Sequence, residues 1–130
     1  MSRLVCVAYD LLACAQPDPD PAALIATLHE ASELLGTDVR GELAVPFQPH
    51  GSTCVLVLSE SHLIVSTWPE HRLAHVDLIT CRADTPPDQA LKPILRLLAP
   101  QVVKSHHIDR RLTTAPPLLP AKAHPTSVRP

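Results

Sequence analysis

The stretch Thr53–Thr80, TCVLVLSESHLIVSTWPEHRLAHVDLIT, decides the fold. It divides into three apolar runs, Thr53–Leu58, His62–Trp68 and Leu73–Thr80, each rich in strand formers and too short for a stable helix. Ser59-Glu60-Ser61 separates the first two, and Pro69-Glu70-His71-Arg72 the second two. Connections this short join antiparallel neighbours, so the stretch predicts a three-strand meander.

Working upstream, Arg3–Tyr9 reads as a strand that Asp10–Cys14 leaves, and Gln16–Pro21 as a loop. A helix begins near Asp20, a good N-cap residue, with Pro21 in its first turn. Leu24, Leu28, Ala31 and Leu35 fall on one face of it, and Gly36 supplies the stop. Thr37–Val45 is a strand interrupted by Arg40-Gly41-Glu42, and Pro46–Gly51 is a loop. Downstream, Arg82–Pro87 opens a second helix with Leu91, Ile94, Leu95 and Leu98 on its apolar face. Pro93 inside that helix costs about 3 kcal/mol unless the helix kinks or starts late. Gln101–His107 reads as a last strand at an edge.

The resulting order, β-α-β-β-β-β-α-β, predicts an α+β fold: a two-layer sandwich with both helices on one face of an antiparallel sheet. The other face has no cover within the chain, and its apolar residues suggest a second copy. The domain spans 1–112. From Thr113 the composition turns to proline (Pro116, Pro117, Pro120, Pro125, Pro130), which predicts a disordered or extended tail over 113–130.

Hydrophobic residues make up 45% of 130, enough for one modest core. Lys and Arg number 11 against 13 Asp and Glu, which gives no electrostatic footprint for nucleic acid or an anionic membrane. Aromatic residues are confined to Tyr9, Phe47 and Trp68, so the core must be aliphatic. Cys6, Cys14, Cys54 and Cys81 form no CxxC pair and no zinc spacing, and no metal is expected. No signal-peptide pattern and no run near the length of a membrane span is present, which predicts a cytoplasmic chain with reduced thiols.

Taken alone, Ser61 beside His62 is an ordinary polar residue of a strand, Trp68 a packing residue and Cys81 a small buried hydrophobe. Their company changes the reading. Phe47-Gln48-Pro49-His50-Gly51, Glu60-Ser61-His62-Leu63, Thr67-Trp68-Pro69-Glu70 and Val76-Asp77-Leu78-Ile79-Thr80-Cys81 follow one another in the order and spacing of a known family. Asp10-Leu11-Leu12-Ala13-Cys14 matches as well. Over roughly residues 4–105 the chain resembles the small bacterial and archaeal S-adenosylmethionine decarboxylases.

The resemblance implies a proenzyme that cuts itself between Glu60 and Ser61. The Ser61 hydroxyl attacks the Glu60 carbonyl, the amide becomes an ester, and elimination leaves dehydroalanine. Hydrolysis then gives a pyruvoyl group at the N-terminus of an α chain, 61–130, paired with a β chain, 1–60. That ketone is an electron sink in place of pyridoxal phosphate. Cys81 is implied as the proton donor to the decarboxylated carbon, Thr53 as an aid to processing, and Phe47, Trp68 and Glu70 as contacts to the small-molecule substrate. A homo-oligomer, a dimer of αβ units, is implied as the assembly.

One departure bears on processing. The family has His-Thr-Trp-Pro-Glu, and this chain has Ser66-Thr67-Trp68-Pro69-Glu70. The histidine thought to act as base in the elimination is therefore Ser66, and loss of a general base costs roughly 10²–10⁴-fold. His62 shares the parity of Ser66 but lies about 13 Å along the strand, and His75 lies six residues from Cys81, about 20 Å by the same rise. His50 and His71 sit in loops whose reach the sequence does not fix. The family's Tyr-Gly-Tyr after Glu70 is His71-Arg72-Leu73 here, and an inward Arg72 would repel a sulfonium substrate. Two further readings follow: decarboxylation of a free amino acid such as ornithine or arginine, and an unprocessed, inactive homologue serving as a binding or regulatory module.

Overall fold

The computed structural model describes residues 4–81 and 83–118. Strands β1 (Val5–Leu12), β2 (Asp38–Pro46), β3 (Ser52–Ser59), β4 (Ser61–Trp68), β5 (Leu73–Thr80) and β6 (Val102–His107) form one sheet in the order β2-β3-β4-β5-β1-β6. Every neighbouring pair is antiparallel, and the predicted meander is β3-β4-β5. Helices α1 (Pro21–Leu35), α2 (Pro87–Ala90) and α3 (Lys92–Leu98) contribute to one core cluster with alternate residues of the central strands, which is the α+β sandwich expected.

Period-two alternation sorts the strands into a covered and an open face. Leu56 and Leu58 of β3, Leu63 and Val65 of β4, Val76 and Leu78 of β5, and Val7 and Leu11 of β1 are buried against the helices. All four residues of the predicted α1 stripe, Leu24, Leu28, Ala31 and Leu35, are fully buried against them. Each leucine so buried contributes roughly 1.5–3 kcal/mol relative to exposure. Gly36 ends α1 in the left-handed region at φ 79°, and a Cβ there would collide with the Asp84 side chain.

One expectation is corrected and three are given their physical form. The first strand starts later and runs on to Leu12, because β5 and β6 pair with it on both sides. Asp20 occupies the N-cap position but its side chain makes no capping bond. Pro93 divides the second helix: α2 ends at Ala90 and α3 starts at Lys92, with the proline in its first turn where no N–H is needed. The Arg40 interruption in β2 is a register shift between Val39 and Gly41, a bulge against β3.

β6 is an edge strand, as read from the sequence. Among the described residues no helix is long and apolar enough to cross a membrane. The end of the proline-rich tail, 119–130, lies outside the described residues.

Candidate active site

The residues singled out by the sequence gather in two places, at opposite ends of β4. Glu60 alone separates β3 from β4, with Leu58 paired to Ser61 and Ser61 paired in turn to Thr80 of β5. Here the Cys81 N–H donates to the Glu60 carbonyl at 3.4 Å, and the Cys81 Sγ lies 3.7 Å from Glu60 Oε1. The Ser61 hydroxyl lies 3.0 Å from His62 Nδ1. A cut between Glu60 and Ser61 would fall between two complete strands, so each fragment would keep its own ladder bonds. The other thiols contrast with Cys81, which is exposed while Cys6, Cys14 and Cys54 are buried. Burial pushes the Cys14 and Cys54 thiols above their usual range and makes them poor proton donors.

At the far end of β4, Phe47, His50, Thr53, Ser66, Trp68 and Glu70 line a cleft of about 280 Å³. The β2–β3 loop is pinned there by two bonds. The Phe47 N–H donates to the Gly51 carbonyl at 2.8 Å, and the Gly51 N–H donates to Asp18 Oδ1 at 3.1 Å. Gly51 sits at φ 91°, where a Cβ would press on the Thr67 carbonyl at 3.0 Å; glycine is what lets the loop fold over the strand end. Phe47 and Trp68 are left half-exposed at the cleft. The Thr53 and Ser66 hydroxyls are 2.9 Å apart, and His50 Nδ1 is 3.7 Å from Glu70 Oε1. The 280 Å³ cleft thus offers two aromatic faces, a hydroxyl pair and a carboxylate. It suits a flat heterocycle joined to a polyol.

Arg72 does not point into the cleft. It adopts a left-handed conformation, φ 51°, and its Nε–H donates to the Cys14 carbonyl at 3.1 Å. The charge expected to repel a sulfonium therefore ties the turn before β5 to the end of β1, and one support for a free amino acid substrate falls away.

His75 is the residue that strand arithmetic misplaced. Measured from Cys81 it is remote, but the bearing that matters is across the sheet: His75 is the direct partner of Ser66 in the β4–β5 ladder. The signal was in the turn length. The tight turn Pro69–His71 followed by Arg72 pairs Trp68 with Leu73, which forces Ser66 opposite His75. The Trp68 indole N–H donates to His75 Nδ1 at 3.2 Å, the rings meeting edge-on with centroids 6.1 Å apart. On the other side His75 Nε2 faces Asp10 Oδ1 at 3.8 Å, and Asp10 is also bonded to His106 Nε2 at 3.0 Å. Among the described residues no cluster of three His, Cys, Asp or Glu side chains could hold a metal ion.

The sequence pattern of the S-adenosylmethionine decarboxylases matches residues 6–111. The chain belongs to that family. Among its relatives, the S-adenosylmethionine decarboxylase proenzyme of Oceanobacillus iheyensis is 38% identical over 84 residues, 65% of this chain and 67% of that protein. The proenzyme of Pyrobaculum neutrophilum is 36% identical over 94 residues, 72% of this chain and 76% of the other. The Aquifex aeolicus proenzyme is 47% identical over a shorter 64 residues, 49% of this chain and 47% of that one. The fold agrees: the crystal structure of the adenosylmethionine decarboxylase from Aquifex aeolicus superposes with a TM-score of 0.75 at 26% identity, covering 91% of this chain and 98% of that one.

Proposed function

We propose that the chain is a self-processing S-adenosylmethionine decarboxylase, cut between Glu60 and Ser61, whose working site is built from two copies. The observation that carries this is the placement of Ser61. It is the first residue of β4, in the turn from β3, with the exposed Cys81 backbone and thiol both against Glu60. Those residues suit a pyruvoyl group made from Ser61, for the new N-terminus would start a strand already held on both sides by β3 and β5. When present, that group supplies an electron sink for the carbon losing carboxylate. Cys81 is the thiol placed to return a proton there. Phe47 and Trp68 stack on the adenine, and Glu70 accepts from the ribose hydroxyls with its paired oxygens.

The two-copy reading follows from length. At about 3.3 Å per residue, Ser61 and Ser66 lie about 16 Å apart on β4, too far for one chain to bring its own cleft to its own cut. A two-fold pairing of open faces places the cleft of one copy on the Ser61 end of the other. The same pairing covers the apolar residues the helices leave bare, Leu43, Val45 and Val57 among them.

Intact mass of the purified protein tests the proposal. Two fragments split before Ser61, the larger with a blocked N-terminus, are expected in place of the 14.1 kDa chain. Ser61→Ala should leave the chain whole and folded. A native chain that stays whole in material matured in its own cell would remove the decarboxylase reading and leave an inactive relative.

A further inference from the structure

We infer that His75 supplies the base for the self-cleavage, in place of the imidazole that Ser66 lacks. The inference rests on the self-processing reading above. Ser66 and His75 are directly opposed in the β4–β5 ladder and share the open face, so their Cβ atoms are about 5 Å apart. A histidine on β5 therefore projects into the volume that one on β4 at position 66 would occupy. The short Ser66 side chain, bonded to Thr53 rather than to the ring, leaves that volume free.

The ring is set up for the task. Because the Trp68 N–H donates to Nδ1, Nδ1 carries a lone pair and Nε2 the hydrogen. Nε2–H faces the Asp10 carboxylate at 3.8 Å, beyond hydrogen-bond reach but close enough to favour the imidazolium once it forms. Among the described residues the Nδ1 lone pair is met by the Trp68 indole alone, a half-exposed side chain that the step requires to give way. His50 lines the cleft and His75 stands beside it, next to Ser66 and Trp68; but His50 rides on the β2–β3 loop by Glu70, whereas His75 stands in a central strand.

In the step assigned here, Nδ1 of His75 in one copy takes the Cα proton of residue 61 in the other, after the ester has formed. The electron pair of that C–H bond becomes the Cα–Cβ double bond, and the bond from Cβ to the ester oxygen breaks. Glu60 leaves as a free C-terminal carboxylate, residue 61 is left as dehydroalanine, and the proton resides on the imidazole. Water then replaces the enamine nitrogen, which departs as ammonia.

The test follows self-cleavage by intact mass, starting from freshly made chain. His75→Ala should slow it by roughly 10²–10⁴-fold, the range for loss of a general base. His75→Gln should be equally slow: its amide oxygen can hold the Trp68 N–H but takes no proton, so recovery in this variant would assign His75 to holding Trp68 alone. Adding Ser66→His to His75→Ala should restore cleavage, while Ser66→His in the native background should gain little. Wild-type cleavage in His75→Ala, or a large gain from Ser66→His alone, would overturn the inference while leaving self-processing standing. A native chain that never cleaves would remove both.

Discussion

The two faces of the sheet are built from the same strands and do different work. On the covered face Leu56, Leu63 and Leu78 are fully buried, and the thiol of Cys54 is sealed with them. One residue away along each strand, the open face carries Ser66 and Trp68 on β4, His75 on β5 and Asp10 on β1. Half-exposed apolar side chains such as Val57 remain among these polar groups. Alternation lets one face carry the folding energy while the other stays free to present reactive groups, and substitutions should separate the two accordingly.

The largest effect expected from breaking that division is on the open face. Ile64 sits in the middle of it, opposite Val55 and Asp77. Ile64→Glu places a carboxylate where two copies would meet, a burial that costs several kcal/mol when unpaired. Sedimentation should show the variant as a single copy, and self-cleavage should fall with the loss of the partner's cleft. Thermal unfolding of that single copy should shift little, since Ile64 takes no part in the buried cluster. A variant that still pairs and still cuts itself would show that the open face is not the joining surface.

Leu63, the residue before it, gives the converse. It faces the helices and is fully buried, so Leu63→Ala should cost about 2–5 kcal/mol in a urea titration. The fraction that remains folded should cleave at close to the native rate, because Leu63 does not line the cleft and offers no group to the cut.

Much of this was legible beforehand, for identifiable reasons. The α1 stripe and the β3-β4-β5 meander carry strong periodicity and clear stops at Gly36 and Pro69, so both were read correctly. Motif order named Phe47, Trp68 and Glu70 for substrate and Thr53 and Ser66 for processing, and in the fold all five line one cleft. Strand ends were less legible: Asp10 and Leu12 look like loop residues until β5 and β6 pair with them. His75 was missed because distance was counted along a strand when the nearest neighbours in a sheet lie across it. Nor did spacing reveal that Ser61 and the cleft occupy opposite ends of β4, the separation on which the two-copy proposal rests.

The smallest effect tests how tightly the covered face is sealed. Burial, and then the bond to Asp88, raise the Tyr9 phenol well above its ordinary value of 10.0, and burial raises Cys14 and Cys54 above 9.0. In the folded chain these three groups keep their protons under conditions where the unfolded chain gives them up. A raised acid of this kind contributes stability that is fully present below its unfolded value and is lost as pH climbs towards its folded one. The urea midpoint should therefore hold steady up to about pH 8 and decline towards pH 10, each unit of displacement being linked to about 1.4 kcal/mol. Cys54→Ala should fold less stably at neutral pH yet lose part of that decline, since one proton-binding difference is gone. Tyr9→Phe should do the same at the upper end of the range. An unchanged decline in both would mean that water reaches these side chains, and the helical layer could then no longer be what keeps the two faces of the sheet apart.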